Sequence, residues 1–264
     1  MEEKKKVIFS VIVFAALIVI AAGIYFLLIR DKTPVEMEEE IVTQELEPQA
    51  EEKPEEISKP VLETVDVELE DSDPAVREKA ADLSDKTRYD RWLDTRNIIS
   101  KFVAAVDNVA HGLSPRSQID FFKLDEDFKA VKTEDGWIAD QESYRRYDPV
   151  AEVFLSLDIE KSVKLYYQFK PVIQEAYAKL GYPEQDFTDT LNRAADELLA
   201  VPVVASPIRL ERRMMSYVMT DPELENLSAA QKHLLRMGPE NVRKTQAKIK
   251  EIKQAVNNPE EVIE

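Results

Sequence analysis

Two clusters of arginine and tyrosine hold the residues of this chain whose types and spacing could do chemistry. The first is Tyr144-Arg145-Arg146-Tyr147-Asp148. The second combines Arg209, Arg212 and Arg213 with Arg236 and Arg243. An arginine fork binds a carboxylate through two parallel hydrogen bonds, and a tyrosine adds flat contact area. Together they would suit a groove for an acidic peptide or an anionic cell-wall group. The same residue types also form internal salt bridges that tie loops to helices and bind nothing else.

Other chemistry is thin. Outside residues 7–29 the glycines are Gly112, Gly136, Gly181 and Gly238, each at a helix end or a turn of the pattern. No GxGxxG, GxxxxGK[ST] or GxSxG occurs, so the glycines needed for phosphate cradles and nucleophile elbows are missing. That argues against the common nucleotide enzymes. His111 and His233 lie in no HxxxH or HExxH pattern. His111 falls at a helix C-terminus, where a partly protonated ring meets the favourable end of the dipole, and His233 lies beside Leu234. No loop has the EF-hand spacing. Cysteine is absent, which removes thiol catalysis and cysteine-ligated metals. Carboxylates are plentiful, but a glycosidase needs two at a set distance, which spacing in sequence does not define. No catalytic, cofactor-binding or metal residue is assigned, and the chain reads as a non-enzyme.

The elements that must position the clusters are mainly helices. Helical periodicity dominates from residue 71. Ser72-Asp73-Pro74 reads as a helix start, with an acceptor cap and proline at the first turn. A helix over about 95–109 would face Ile98, Ile99, Phe102, Val103 and Val106 one way. FKAVK-TEDG-WIAD predicts a small hairpin turning at Asp135-Gly136. Pro149 opens another helix. Asp158 caps a long one to about Leu180, which Pro171 should kink or divide. Asp186 caps the next, with Phe187, Leu191, Ala194 and Leu198 on one face. Residues 202–219 read as extended or mixed. Ser228 caps AAQKHLLRM, and Pro239 opens a last helix to about Val256. There Val242, Thr245, Ile249, Ile252 and Val256 take heptad-like spacing. That face packs on its own domain or, alternatively, forms the seam of a homodimer.

Upstream, residues 7–29 run for 23 positions without a charge, bounded by Lys4-Lys5-Lys6 and Arg30-Asp31-Lys32. A helix of that length spans roughly 35 Å, enough for a hydrocarbon core of about 30 Å. The lysine bias places residues 1–6 in the cytoplasm and the rest outside the inner membrane, in the periplasm. A cleaved signal peptide is the rival, with Ala21-Ala22-Gly23 as its site, but the apolar run continues to Ile29. The net charge of −17 is concentrated in residues 33–73, with 16 acids against Lys53 and Lys59. With four prolines and no glycine, residues 30–70 read as a disordered, self-repelling spacer. The acidic balance argues against nucleic acid as a partner. The expected architecture is therefore mainly α: a transmembrane helix, an acidic linker, one helical domain over 71–257 with a possible β-hairpin, and a disordered tail at 258–264.

DSDPAVRE (71–78), FVAAVDNVAHG (102–112), YRRYDP (144–149), GYPEQDF (181–187), PIRLERRMMSY (207–217) and DPELENLSAAQKHLLRMGPENVRKTQAKIKEI (221–252) resemble the bacterial domain of unknown function 3014 family. The resemblance implies an envelope protein with an N-terminal anchor, a variable linker and one soluble domain. It brings no activity, cofactor or site residue with it. The leading functional expectation is a membrane-anchored interaction, scaffold or assembly module that works with another envelope protein. A tethered holdase, which would need an exposed apolar groove with Met214, Met215 and Met219 as candidate lining, and a carboxylate enzyme acting on cell wall or lipid are the alternatives.

Overall fold

The computed structural model describes residues 63–119, 124 and 127–262. The expected transmembrane helix at 7–29 and most of the expected linker lie outside the described residues. Among the described residues, no helix is long and apolar enough to cross a membrane.

In chain order, α1 is Ser72–Ala80, α2 Tyr89–Leu93 and α3 Ile98–Ala110. A hairpin follows, β1 Ala130–Thr133 and β2 Gly136–Ala139. Then come α4 Gln141–Arg145, α5 Asp148–Ser156, α6 Ile159–Gln168, α7 Lys170–Lys179 and α8 Phe187–Leu199. A second hairpin, β3 Arg209–Arg212 and β4 Tyr217–Met219, precedes α9 Pro222–Glu225, α10 Ala229–Leu235 and α11 Gly238–Asn257.

Local chemistry sets most helix ends. Asp186 Oδ1 accepts the Thr188 amide at 2.7 Å, and Asp158 Oδ1 accepts that of Lys161 at 2.9 Å. Ser228 and Gln231 form a reciprocal capping box at the start of α10. Pro171 divides the expected long helix: α6 stops before Phe169 and α7 resumes with the proline in its first turn. The start of α1 differs from expectation. Ser72 Oγ donates to Leu69 O at 2.7 Å, and Asp73 turns away to cap α3 instead.

The folded chain also begins earlier than residue 71. Val65 N donates to Gln168 O at 2.9 Å, and Val65, Val67 and Leu69 pack on the helical core. Apolar residues alternate with Asp66, Glu68 and Glu70 here. One face is buried while the acids stay in water, a pattern the overall acidity of the segment masks. At the other end, Pro259–Glu261 form a short 3-10 turn and Val262 packs on the same core, so residues 258–262 are not the free tail expected.

The hairpin expected around residue 135 is present, with Thr133 paired to Gly136. It is half of a four-stranded antiparallel sheet in the order β1-β2-β3-β4. Trp137 pairs with Leu210, and Leu210 with Met219. The segment read as extended or mixed thus supplies a second hairpin that joins the first across the intervening helices.

Two principal apolar clusters result. The larger gathers α1, α3, α6 and α7 with the end of α11, around Val103, Val163, Tyr177 and Phe187. The smaller joins the sheet to α10 and the start of α11 through Ala139, Leu210, Leu235 and Val242. The heptad-like stripe of α11 is spent inside the domain. Val242, Thr245, Ile249 and Val256 are buried, and α11 packs on α8, α5 and α6. A seam between two copies would have to use another face.

Candidate functional site

A run of rings links the two arginine clusters: Arg146 lies over Phe128, Phe128 stands 5.7 Å from Tyr217, Tyr217 stands 5.6 Å from Trp137, and Arg212 lies over Trp137. In the first, Tyr147 points inward, Arg145 outward, and Arg146 is partly buried. Tyr147 is buried, its ring edge-on to His233 at 6.2 Å. Tyr144 is half-buried in the sheet-side cluster; burial raises its pKa, against a hydrogen bond with the Ile208 backbone. Arg145 is exposed. Arg146 Nε donates to Ser143 O at 2.9 Å, and its guanidinium lies over the rings of Phe128 and Tyr147. Asp148 Oδ1 accepts from Asn241 Nδ2 at 2.8 Å, tying α5 to α11.

In the second cluster, strand alternation separates the side chains. Arg212 shares the inner face with Leu210 and sits 5.7 Å over Trp137. Arg209 takes the outer face and meets Asp135 at 3.7 Å. Arg213 pairs with Glu211 at 3.2 Å. Arg236, at the end of α10, and Arg243, on α11, are exposed. Arg209 and Arg213 are each ion-paired to a neighbouring carboxylate, to Asp135 and Glu211.

The feature with the strongest physical claim to function is a cavity of about 580 Å³, partly open to solvent. Walls come from α1, α2, α3, α5, α6, α8, α10 and α11. Val103, Ala105, Val163, Leu191, Ala194 and Ile249 represent their character. The space is partly open to solvent, and its walls are almost wholly apolar. Water has few partners on such walls.

The polar groups in the walls are few. Tyr89 donates its hydroxyl to Ala80 O at 2.9 Å, and the Tyr166 hydroxyl pairs with that of Thr188 at 2.9 Å. Burial pushes both phenols up to about 12. His233 has its Nδ1 3.4 Å from Ser114 Oγ. Burial first, then the charges of Arg116 and Arg236, pull its pKa down to about 4, so the ring is neutral at pH 7. Lys101 and Lys253 are partly exposed, and Lys253 is ion-paired to Asp196. Thr245 is 8% exposed, and its Oγ1 has no hydrogen-bond partner. No group of metal-binding side chains occurs among the described residues. The arrangement is suited to holding an apolar molecule with very little polar recognition.

Neither His233 nor Thr245 stands out in sequence as a site residue. The available signal was a hydroxyl set into the apolar stripe of α11, and it reads equally well as packing.

The fold and site define a helical domain enclosing an apolar cavity, with a small antiparallel sheet. Residues 98–253 match the family described as Protein of unknown function (DUF3014), and the chain belongs to that family. The match contains α3 to most of α11; DSDPAVRE, part of the resemblance read from sequence, lies outside it. No curated protein and no solved structure matches the chain.

Proposed function

We propose that this chain is a single-pass inner-membrane protein whose helical domain, held in the periplasm by residues 7–29 and the acidic spacer, binds an apolar guest without catalysing a reaction on it. The cavity carries this reading: about 580 Å³ of space, partly open to solvent, is bounded by an almost wholly apolar wall. The missing catalytic motifs and the uncharged run at 7–29 support it from the sequence side.

The test is titration of the full chain, in nanodiscs, with an environment-sensitive naphthylamine dye. Saturable enhancement at one dye per chain is expected. Enhancement that never exceeds that of empty nanodiscs contradicts the reading.

A second reading, an adaptor for another envelope protein, is favoured by the β3–β4 turn. Met214 and Met215 are 96% and 93% exposed there, beside Arg213. Methionine pairs of this kind adapt to varied partner surfaces. Crosslinking from intact membranes, with and without residues 71–257, tests it. One envelope partner lost on deletion is expected, and an unchanged pattern contradicts it.

A further inference from the structure

Resting on the reading that residues 7–29 anchor the chain in the inner membrane, we propose that the tip of the β3–β4 hairpin docks on the anionic lipid surface of that same bilayer. Met214 and Met215 enter below the headgroups, and the arginines beside them hold the phosphates. The Arg213 amide donates to Ser216 O at 2.8 Å, so the two methionines form the connection by themselves. Short connections of this kind ordinarily use glycine, asparagine or aspartate, which suit the backbone of the turn. Methionine serves neither that backbone nor the core, because the two side chains are 96% and 93% exposed. Adjacent apolar side chains at a tip serve an apolar phase outside the domain.

The base of the hairpin carries the groups of a membrane interface. Arg212 pairs with Tyr217 as the last rung before the turn, and the Tyr217 ring stands 5.6 Å from Trp137 and 5.7 Å from the exposed Phe128. Amphipathic rings of this kind settle at headgroup level. Met214 lies two residues past Arg212, roughly 7 Å at about 3.3 Å per residue, within the 5–10 Å to which interfacial segments sink. Trp137 opposite Leu210 sets the Glu134-Asp135 turn about level with Arg212, so the methionines project beyond those acids. Asp135 is paired to Arg209 and Glu211 to Arg213. That leaves Arg212 and Lys132 against Glu134, a positive end on a chain of net charge −17. Each basic residue at an anionic surface strengthens binding about fivefold.

Size separates a bilayer from a protein partner. A stable protein interface buries roughly 800 Å² a side, and two methionine side chains fall well short of it. A tethered domain needs less. The sequence has 33 residues between Ile29 and Glu63, and a flexible chain of that length averages roughly 30 Å end to end. The bilayer is therefore always near, and a small contact suffices.

The chain has no cysteine, so Met214→Cys takes a single nitrobenzoxadiazole label. The full chain is placed in nanodiscs of phosphatidylcholine, alone or mixed with phosphatidylglycerol, with Glu184→Cys as an exposed control. In the mixed discs the tip label is expected to emit at least threefold above the control and to be quenched by doxyl lipid. Arg212→Glu with Arg213→Glu should bring it down to the control while the circular-dichroism melt still reports a folded chain. A tip label that matches the control in mixed discs overturns the docking and leaves the anchor standing. Equal emission in both kinds of disc overturns the anionic surface. Emission that rises only when an envelope extract is added overturns the bilayer in favour of a protein. A chain that does not enter nanodiscs overturns the anchor and the docking together.

Discussion

Asp73 closes the first turn of a helix that begins 25 residues further along: its Oδ1 accepts the Ile98 amide at 2.8 Å, and its Oδ2 accepts the Asn97 amide at 2.8 Å. Asn97 itself sits at φ 56, a left-handed conformation that leaves α3 without a cap of its own. Arg77 completes the junction, donating to Asp73 at 3.3 Å and to the carbonyls of Leu93 and Thr95. The carboxylate thereby fixes α1 against α3, two walls of the cavity.

Asp73→Ala removes both acceptors. It is expected to cost about 2 kcal/mol in urea denaturation, and Asp73→Asn about half that, because the amide keeps one acceptor oxygen. A loss under about 0.5 kcal/mol for the alanine variant would show the cap to be idle.

Gly238 and Tyr144 make a second fixed junction. A Cβ on Gly238 would lie 2.7 Å from Tyr144 Cβ and Cγ, and the residue sits at φ +82. Gly238→Ala therefore meets both a clash and a left-handed backbone. A loss of about 2–4 kcal/mol is expected in the same denaturation measurement. Tyr144→Ala in the same chain should recover only the share due to the ring, since Tyr144 Cβ, also at 2.7 Å, remains.

His233 gives the domain an acid-sensitive step. Its folded pKa lies near 4 against an ordinary 6.5. Between those values the unfolded chain takes up a proton that the folded chain refuses. The stabilisation is complete above about pH 6.5 and is lost as pH falls towards 4, to a total of about 3 kcal/mol. Arg116 and Arg236 act in the same direction as burial. The difference in urea stability between wild type and His233→Gln should shrink by that amount from pH 7 to pH 4. A constant difference would mean that the ring is protonated in the folded state.

What was legible in the sequence is what is decided locally. Asp158, Asp186 and Ser228 cap the helices they precede, Pro171 divides one, and Asp135-Gly136 marks a hairpin, because each acts within about four residues. The partners of those elements were not legible. Nothing near residue 210 says that Leu210 will sit beside Trp137. Asp73 reads as the cap of its own helix because proximity in sequence is all that is visible there. The arginines cluster by number, yet strand alternation sends Arg209 and Arg212 to opposite faces. The cavity is a volume left between helices, so no single segment carries its signature.

The exposed tip at Met214 and Met215 makes no demand on stability. Met214→Ser with Met215→Ser should change the unfolding free energy by less than about 0.5 kcal/mol, because both side chains are already in water. If the tip docks an envelope protein, the same double variant lowers crosslinking to that partner at least fivefold. Unchanged crosslinking would remove the tip from any interface.

The most direct measurement is the melting temperature of the full chain with and without a saturating apolar guest, in wild type and in Ala105→Phe. At a guest concentration a hundredfold above Kd, binding to the folded state alone adds about 2.7 kcal/mol, a rise of roughly 5–10 °C for a domain of this size. The cavity account predicts that rise in the wild type and its loss in the filled variant. An equal response in both chains, or none in either, would contradict it.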